Sequence, residues 1–213
     1  MRLSALTGVA GVLGALTGAY FKFARPGVLN WGATPEEIAR VMPGDEVLPS
    51  VALQTTRVIT IDAAPEAIWP WLVQMGPRPR AGVYTYDWLE RLLGIDIKNS
   101  DRILPEFQHL EAGTFWELNK KGQGLRVLEV QAERCLVLQW EPAKSTWAFI
   151  LYPQSDGRTR LVSRNRIPGS GPLFWLTMVA FVEAGSLVME RKMLMGIRSR
   201  AEVLAHDRTA AVA

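Results

Sequence analysis

Polar and apolar residues alternate with a period of two along 54–62, and strand-like runs follow at short intervals over 114–119, 125–131, 135–141, 145–152 and 159–167. That period gives a strand one buried face and one wet face. The segments between are turn chemistry, notably Lys120-Lys121-Gly122-Gln123-Gly124 and Ser155-Asp156-Gly157-Arg158. Consecutive strands are therefore expected to pair antiparallel as a meander. After the first strand the period becomes helical. Pro65 can open a helix over 65–75, with Ile68, Trp71, Leu72 and Met75 on its inner face and Gly76-Pro77 to stop it. A second short helix is expected over 84–93, closed by Gly94. Residues 168–172 break the last strand with Pro, Gly and Ser, and 173–182 is almost wholly apolar. Residues 184–205 then read as a long helix whose stripe of Leu187, Met193, Leu194, Ile197, Ala201 and Leu204 includes Glu190. The order predicts an α+β domain over 54–205: a curved antiparallel sheet of six to seven strands around a long C-terminal helix, with two short helices after the first strand.

Residues 26–53 lose this periodicity and gain Pro and Gly, as a connector would, and 206–213 form a tail. Within the connector, Thr34-Pro35-Glu36-Glu37 has the form of a capping box at the start of a short helix. Residues 1–25 are set apart by an uncharged run from Leu3 to Phe21, bounded by Arg2 and by Lys22 and Arg25. A helix of that length spans about 30 Å, the thickness of a hydrocarbon core. A single membrane anchor is expected there, the distribution of basic residues leaning toward a cytoplasmic main domain. If the run is instead a cleaved signal peptide, with Thr17-Gly18-Ala19 near the cleavage site, the domain is secreted or periplasmic. A second span over 172–189 would bury Glu183 in lipid, so a buried helix or cavity lip is expected in that region instead.

Composition narrows the chemistry. The 213 residues are 48% hydrophobic, enough to fill one domain core, and 24 basic against 21 acidic residues are scattered rather than striped, so nucleic acid is not expected as a partner. The single cysteine, Cys135, has no intrachain partner, and His109 and His206 are the only histidines, so neither a cysteine-based nor a histidine-rich metal centre is expected, and no cofactor is implied.

The stretch Ile61-Asp62-Ala63-Ala64-Pro65-Glu66-Ala67-Ile68-Trp69 resembles the strand-to-helix junction I-x-A-P-P-E-x-V-W of the START-like, or SRPBCC, superfamily, with Ala64 in place of the first proline. Residues 82–90 and Asn99-Ser100-Asp101-Arg102 resemble an uncharacterised bacterial branch of it. The resemblance covers about 54–204 and implies the helix-grip fold, with a deep cavity between the curved sheet and the last helix. Superfamily members include lipid carriers, hormone receptors, polyketide cyclases and oxygenase subunits. No iron ligand set of the oxygenase kind is present here.

Candidate cavity residues follow from strand parity and helix spacing. Trp116, Trp140 and Trp147 share faces with Leu118, Leu138 and Phe149 and are expected inward. Tyr84 and Trp88, at i and i+4 on the second helix, would guard the mouth, and Glu190, Met193 and Ile197 would project from the last helix. A charged Glu190 on an apolar stripe needs a partner such as Arg164 or Asn165, or else meets a polar ligand group. In the last strand Arg160, Val162, Arg164 and Arg166 are expected on the outer, solvated face. Asp87, Asp101 and Glu106 are treated as caps and surface charges. The leading functional expectation is a binding protein for a lipid-like or other hydrophobic small molecule, at or near a membrane through residues 3–21. The alternatives are a cyclase- or hydrolase-like enzyme with Glu190 or Asp87 as general acid or base, and a membrane-tethered interaction module.

Overall fold

Leu53–Ile61 forms β1, and its partner is the distant strand β6 (Thr159–Ile167), against which it runs antiparallel with Arg57 opposite Ser163 and Thr55 opposite Asn165. Between them the meander β2 (Phe115–Glu117), β3 (Gly124–Gln131), β4 (Cys135–Glu141) and β5 (Thr146–Pro153) completes a six-stranded antiparallel sheet in the order β1-β6-β5-β4-β3-β2. These positions come from a computed structural model that describes residue 15 and residues 17–212 except 93 and 120.

The parity expected from the sequence decides which side chains face the core. Leu136 and Leu138, Phe149 and Leu151, Leu161, and Ile59 and Ile61 pack on one face, while Cys135, Val137, Ala148, Ile150 and Val162 pack on the other. A bulge between Val127 and Glu129 shifts the register of β3 by one residue. Strict alternation from Val127 would have turned Glu129 inward. With the extra residue, Val130 packs on the inner cluster instead, and Leu128 joins the outer one.

Three helical elements close the inner face. Pro65–Val73 forms α3, following the short helices α1 (Arg25–Leu29) and α2 (Pro35–Ala39). Pro65 occupies its first turn, where a missing N–H costs nothing. Pro70 lies in its interior and cannot bond the Glu66 carbonyl; the Arg208 guanidinium donates to that carbonyl at 3.2 Å instead. The second short helix, α4, covers Asp87–Leu92 and not 84–93. Tyr84 precedes it with φ 59°, its N–H donating to Asn99 Oδ1 at 2.6 Å, so Tyr84 and Trp88 do not stack on one helix. After the short helix α5 (Pro172–Thr177), the long helix α6 spans Glu183–Val212, so the expected tail 206–212 is helical. Met193, Leu194, Ile197 and Ala201 of α6 sit in the core. Gly196 lets α6 approach the Tyr84 turn, since a Cβ there would lie 3.0 Å from Tyr84. The whole is the helix-grip arrangement, an antiparallel sheet holding one long terminal helix.

The connector lies on the outer face and changes the reading of the arginine row. Arg160, Arg164 and Arg166 do point away from the inner core, but they are not solvated. Arg160 pairs with Glu37 at 2.7 Å, and Arg166 donates to the Leu48 carbonyl at 2.6 Å. Arg164, 2% exposed, donates to Asp45 and to the carbonyls of Glu37, Ile38 and Arg40. Both bonds of the Thr34–Glu37 capping box are present. Gly32 allows the close approach: it has φ 75°, and a Cβ would fall 2.1 Å from the Val58 carbonyl oxygen.

The uncharged run 3–21 lies mostly outside the described residues. Its described end, 17–19, is helical and leads through a π-helical turn, Tyr20–Ala24, into α1. Among the described residues no single helix is long and apolar enough to cross a membrane; only the pair Pro172–Ala180 and Glu183–Ala210, bent by 46°, passes that test together. The expectation of a buried helix after residue 172 is overturned for α5, none of whose residues is buried. Val182, just beyond it, stands at the cavity rim.

Candidate ligand-binding site

Between the inner sheet face and α6 lies a cavity of about 320 Å³, at the lower end of the roughly 300–1,000 Å³ typical of small-molecule sites. Leu53 of β1, Leu118, Leu125 of β3, Trp140 of β4, Trp147 of β5, and Ile97 from the segment after α4 supply apolar walls. Val182, Met189 and Met193 cover it from the helix side.

One wall is polar, and the register of two strands makes it so. β1 and β6 put Arg57 beside Ser163 and Thr55 beside Asn165 on the inner face, and Glu190 descends on them from α6. The Arg57 guanidinium donates to Glu190 Oε2, to Ser186 Oγ at 3.0 Å and to the carbonyl of Val28 at 3.2 Å. The Ser163 hydroxyl donates to Glu190 Oε1, and Asn165 Nδ2 donates to the same oxygen at 3.2 Å. Trp147 Nε1 donates to Ser163 Oγ at 2.8 Å. Burial holds the Glu190 carboxyl above the usual carboxylate range, and Arg57 first, then Ser163 and Asn165, offset this only in part. This is a buried charge pair with its surplus donors and acceptors mostly spoken for, which is the condition for tolerating it.

A second carboxylate faces the same space. Glu90, from α4, is 7% exposed, lines the cavity and accepts a bond from Thr85 Oγ1 at 2.8 Å. Burial pushes its carboxyl up; the Thr85 hydroxyl opposes this and the nearby Asp87 charge adds to it. A carboxyl raised in the folded state stabilises fully below its unfolded value of about 4.5, and that contribution is lost as pH rises through the folded value. Glu90→Gln is therefore expected to melt at a progressively higher temperature, relative to the unaltered protein, as pH is raised from about 4.5 toward 8. Parallel melting curves across that range would show that Glu90 carries no such shift.

The nine residues expected at the site divide. Trp140, Trp147, Glu190 and Met193 line the cavity. Phe149 and Ile197 are wholly buried in the core beneath it. Trp116 is buried in the same core with the Arg80 guanidinium 4.9 Å from its ring, and does not line the cavity. Tyr84 is also core: its hydroxyl donates to the Trp71 carbonyl at 2.9 Å and accepts from Gln74 Nε2 at 3.0 Å. Trp88 is 63% exposed and guards no mouth. The partner expected for Glu190 is half corrected. Asn165 does bond it, but Arg164 faces the connector, and the guanidinium is that of Arg57. Arg57 and Glu90 were missed as site residues. For Arg57 a signal exists: it falls on the same parity as Leu53, Ile59 and Ile61, an arginine on an apolar face. Among the described residues no cluster of His, Cys, Asp or Glu could hold a metal ion.

The architecture is that of a helix-grip fold, with a cavity between the sheet and its long terminal helix. No protein-family model and no curated protein matches the sequence. Solved structures that share the architecture include the KanY protein (ms6282), at 14% identity over 70% of this chain and 97% of that one with a TM-score of 0.47. The Aha1 dimer from Colwellia psychrerythraea is similar at 15% identity over 71% and 97%, TM-score 0.41. The Polyketide_cyc-like protein Cgl2372 from Corynebacterium glutamicum is similar at 12% identity over 78% and 96%, TM-score 0.36. These are likenesses of fold alone.

Proposed function

We propose that the protein binds, without transforming it, a lipid-like small molecule that is apolar over most of its length and polar at one end. The observation that carries this is the cavity itself: mostly apolar walls, with polar groups gathered on the Arg57, Asn165 and Glu190 side and at Thr85 and Glu90. An apolar guest gains about 25 cal/mol per Å² removed from water, and its polar end can exchange bonds with Asn165 or Ser186 without leaving a buried group unpaired. The uncharged run 3–21 fits a tether that keeps the domain near the membrane where such molecules partition. Extraction of the purified protein with organic solvent, followed by mass spectrometry, is expected to recover one recurring amphipathic compound. Repeatedly empty protein that also takes up no fluorescent acyl probe would end this reading.

Catalysis is the second reading, and Glu90 is what favours it. Glu190 is occupied by Arg57, Ser163 and Asn165, whereas Glu90 has one bond from Thr85 and a raised carboxyl at the cavity wall, the setting of a general acid.

A further inference from the structure

A short apolar helix with no buried residue lies a few residues before Val182 of the cavity rim. α5 has the sequence PLFWLT and not one buried residue; Leu173 is 74% exposed and Leu176 64%. Leaving such side chains in water forgoes about 1.5–3 kcal/mol each, so a contiguous set of them marks a surface meant to be covered.

The set is contiguous with a second exposed aromatic group. The Arg25 guanidinium lies 5.8 Å from the Trp175 ring centroid and 5.3 Å from that of Phe21, so the two segments share one patch. Phe23, 73% exposed, extends it, with Lys22 Nζ 5.2 Å from its ring. Arg25 is held in place by Glu183 at 2.7 Å, and Tyr20 donates to the same carboxylate at 3.2 Å. The π-helical turn and the start of α1 are thereby tied to the start of α6.

The unpaired charge at this patch is the Lys22 ammonium, because Arg25 is neutralised by the buried Glu183. No acidic residue occurs before Glu36 or between 160 and 182, and Glu183 is fully buried against Arg25. The chain entering the patch from 3 to 19 carries no charge at all. Exposed aromatic rings, aliphatic tips and the Lys22 cation on one face, with no exposed acid from these segments, match the headgroup layer of an anionic bilayer, where rings and basic side chains settle together. A protein partner is a poorer match, because interface cores are depleted in lysine.

We infer that α5 and the aromatic turn around Phe21 and Phe23 form a docking surface for an anionic lipid bilayer, which sets the cavity rim at Val182 and Ser186 against the membrane. The inference concerns the attitude of the molecule on the bilayer and holds whatever occupies the cavity.

The test uses the full chain with an environment-sensitive fluorophore on Leu173→Cys, on Phe23→Cys and, as control, on Val41→Cys, which is 85% exposed on the connector; the native Cys135 is buried. With vesicles of mixed phosphatidylglycerol and phosphatidylcholine, emission at 173 and 23 is expected to shift to the blue and to be quenched by brominated acyl chains, while 41 is unchanged. The shift should weaken in vesicles of phosphatidylcholine alone. Position 173 is decisive, being remote in sequence from the run 3–21. A label at 173 that stays open to aqueous iodide on vesicle-bound protein would overturn the inference. So would a blue shift at 173 without vesicles and with a doubled mass, which would assign the surface to a second copy of the chain.

Discussion

Arg57→Ala is expected to destabilise the fold by about 3–5 kcal/mol, a large part of the roughly 5–15 kcal/mol that holds a domain together. The reason is what remains behind. Glu190 is nearly buried and takes its charged partner from Arg57; without it, the carboxylate keeps only the Ser163 hydroxyl and the Asn165 amide. Arg57 also bonds the carbonyls of Val28 and Glu183 and the Ser186 hydroxyl, so its loss unpairs α1 and both ends of the first turn of α6. Replacing both partners by methionine should recover most of the loss, because no charge is then stranded. Denaturant unfolding of Arg57→Met, Glu190→Met and the double variant closes the cycle. If the double variant is as unstable as the sum of the singles, the pair is not a coupled unit and this account of the polar wall fails.

Met189→Trp is expected to weaken retention of a fluorescent acyl probe by roughly tenfold or more, equivalent to about 1.4 kcal/mol, with little change in melting temperature. Met189 lies on α6 at the half-buried rim, not in the packed core, so a larger ring there projects into the cavity and displaces the guest. The neighbouring Met193 is buried against the core, and enlarging it would strain the packing instead. Probe affinity is the measurement, with thermal unfolding as the check on folding. Unchanged affinity would mean that the probe sits elsewhere.

The sheet was legible because its signals are local. Alternation sets the faces, and turn residues between strands set antiparallel neighbours, so the inward positions of Leu138, Trp140, Trp147 and Phe149 could be read from the chain. The Thr34 capping box and the start of α3 at Pro65 were legible for the same reason. What was not legible depends on residues far away in sequence. Tyr84 and Trp88 have helical spacing, but the bond from Tyr84 N–H to Asn99 Oδ1 holds Tyr84 in a turn ahead of the helix. The arginines of β6 do face outward, yet nothing local announces that Glu37, Asp45 and Leu48 will fold over them. The polar wall is a third case. Glu190 could be placed on the inner stripe, whereas its partner on β1 is fixed by pairing between the first and last strands.

That pairing has a consequence for how the chain matures. β1 leaves the ribosome first among the strands, and its only neighbour in the sheet is the last strand made. Its inward arginine meets its carboxylate 133 residues later. Throughout synthesis the edge of β1 must therefore wait unpaired, covered at most by the connector through the bond from Val58 N–H to the Trp31 carbonyl. Contacts so distant along the chain slow folding and prolong exposure to aggregation. Completion of the sheet thus waits for β6 to emerge, and nascent chains halted before β6 should be strong clients of chaperones.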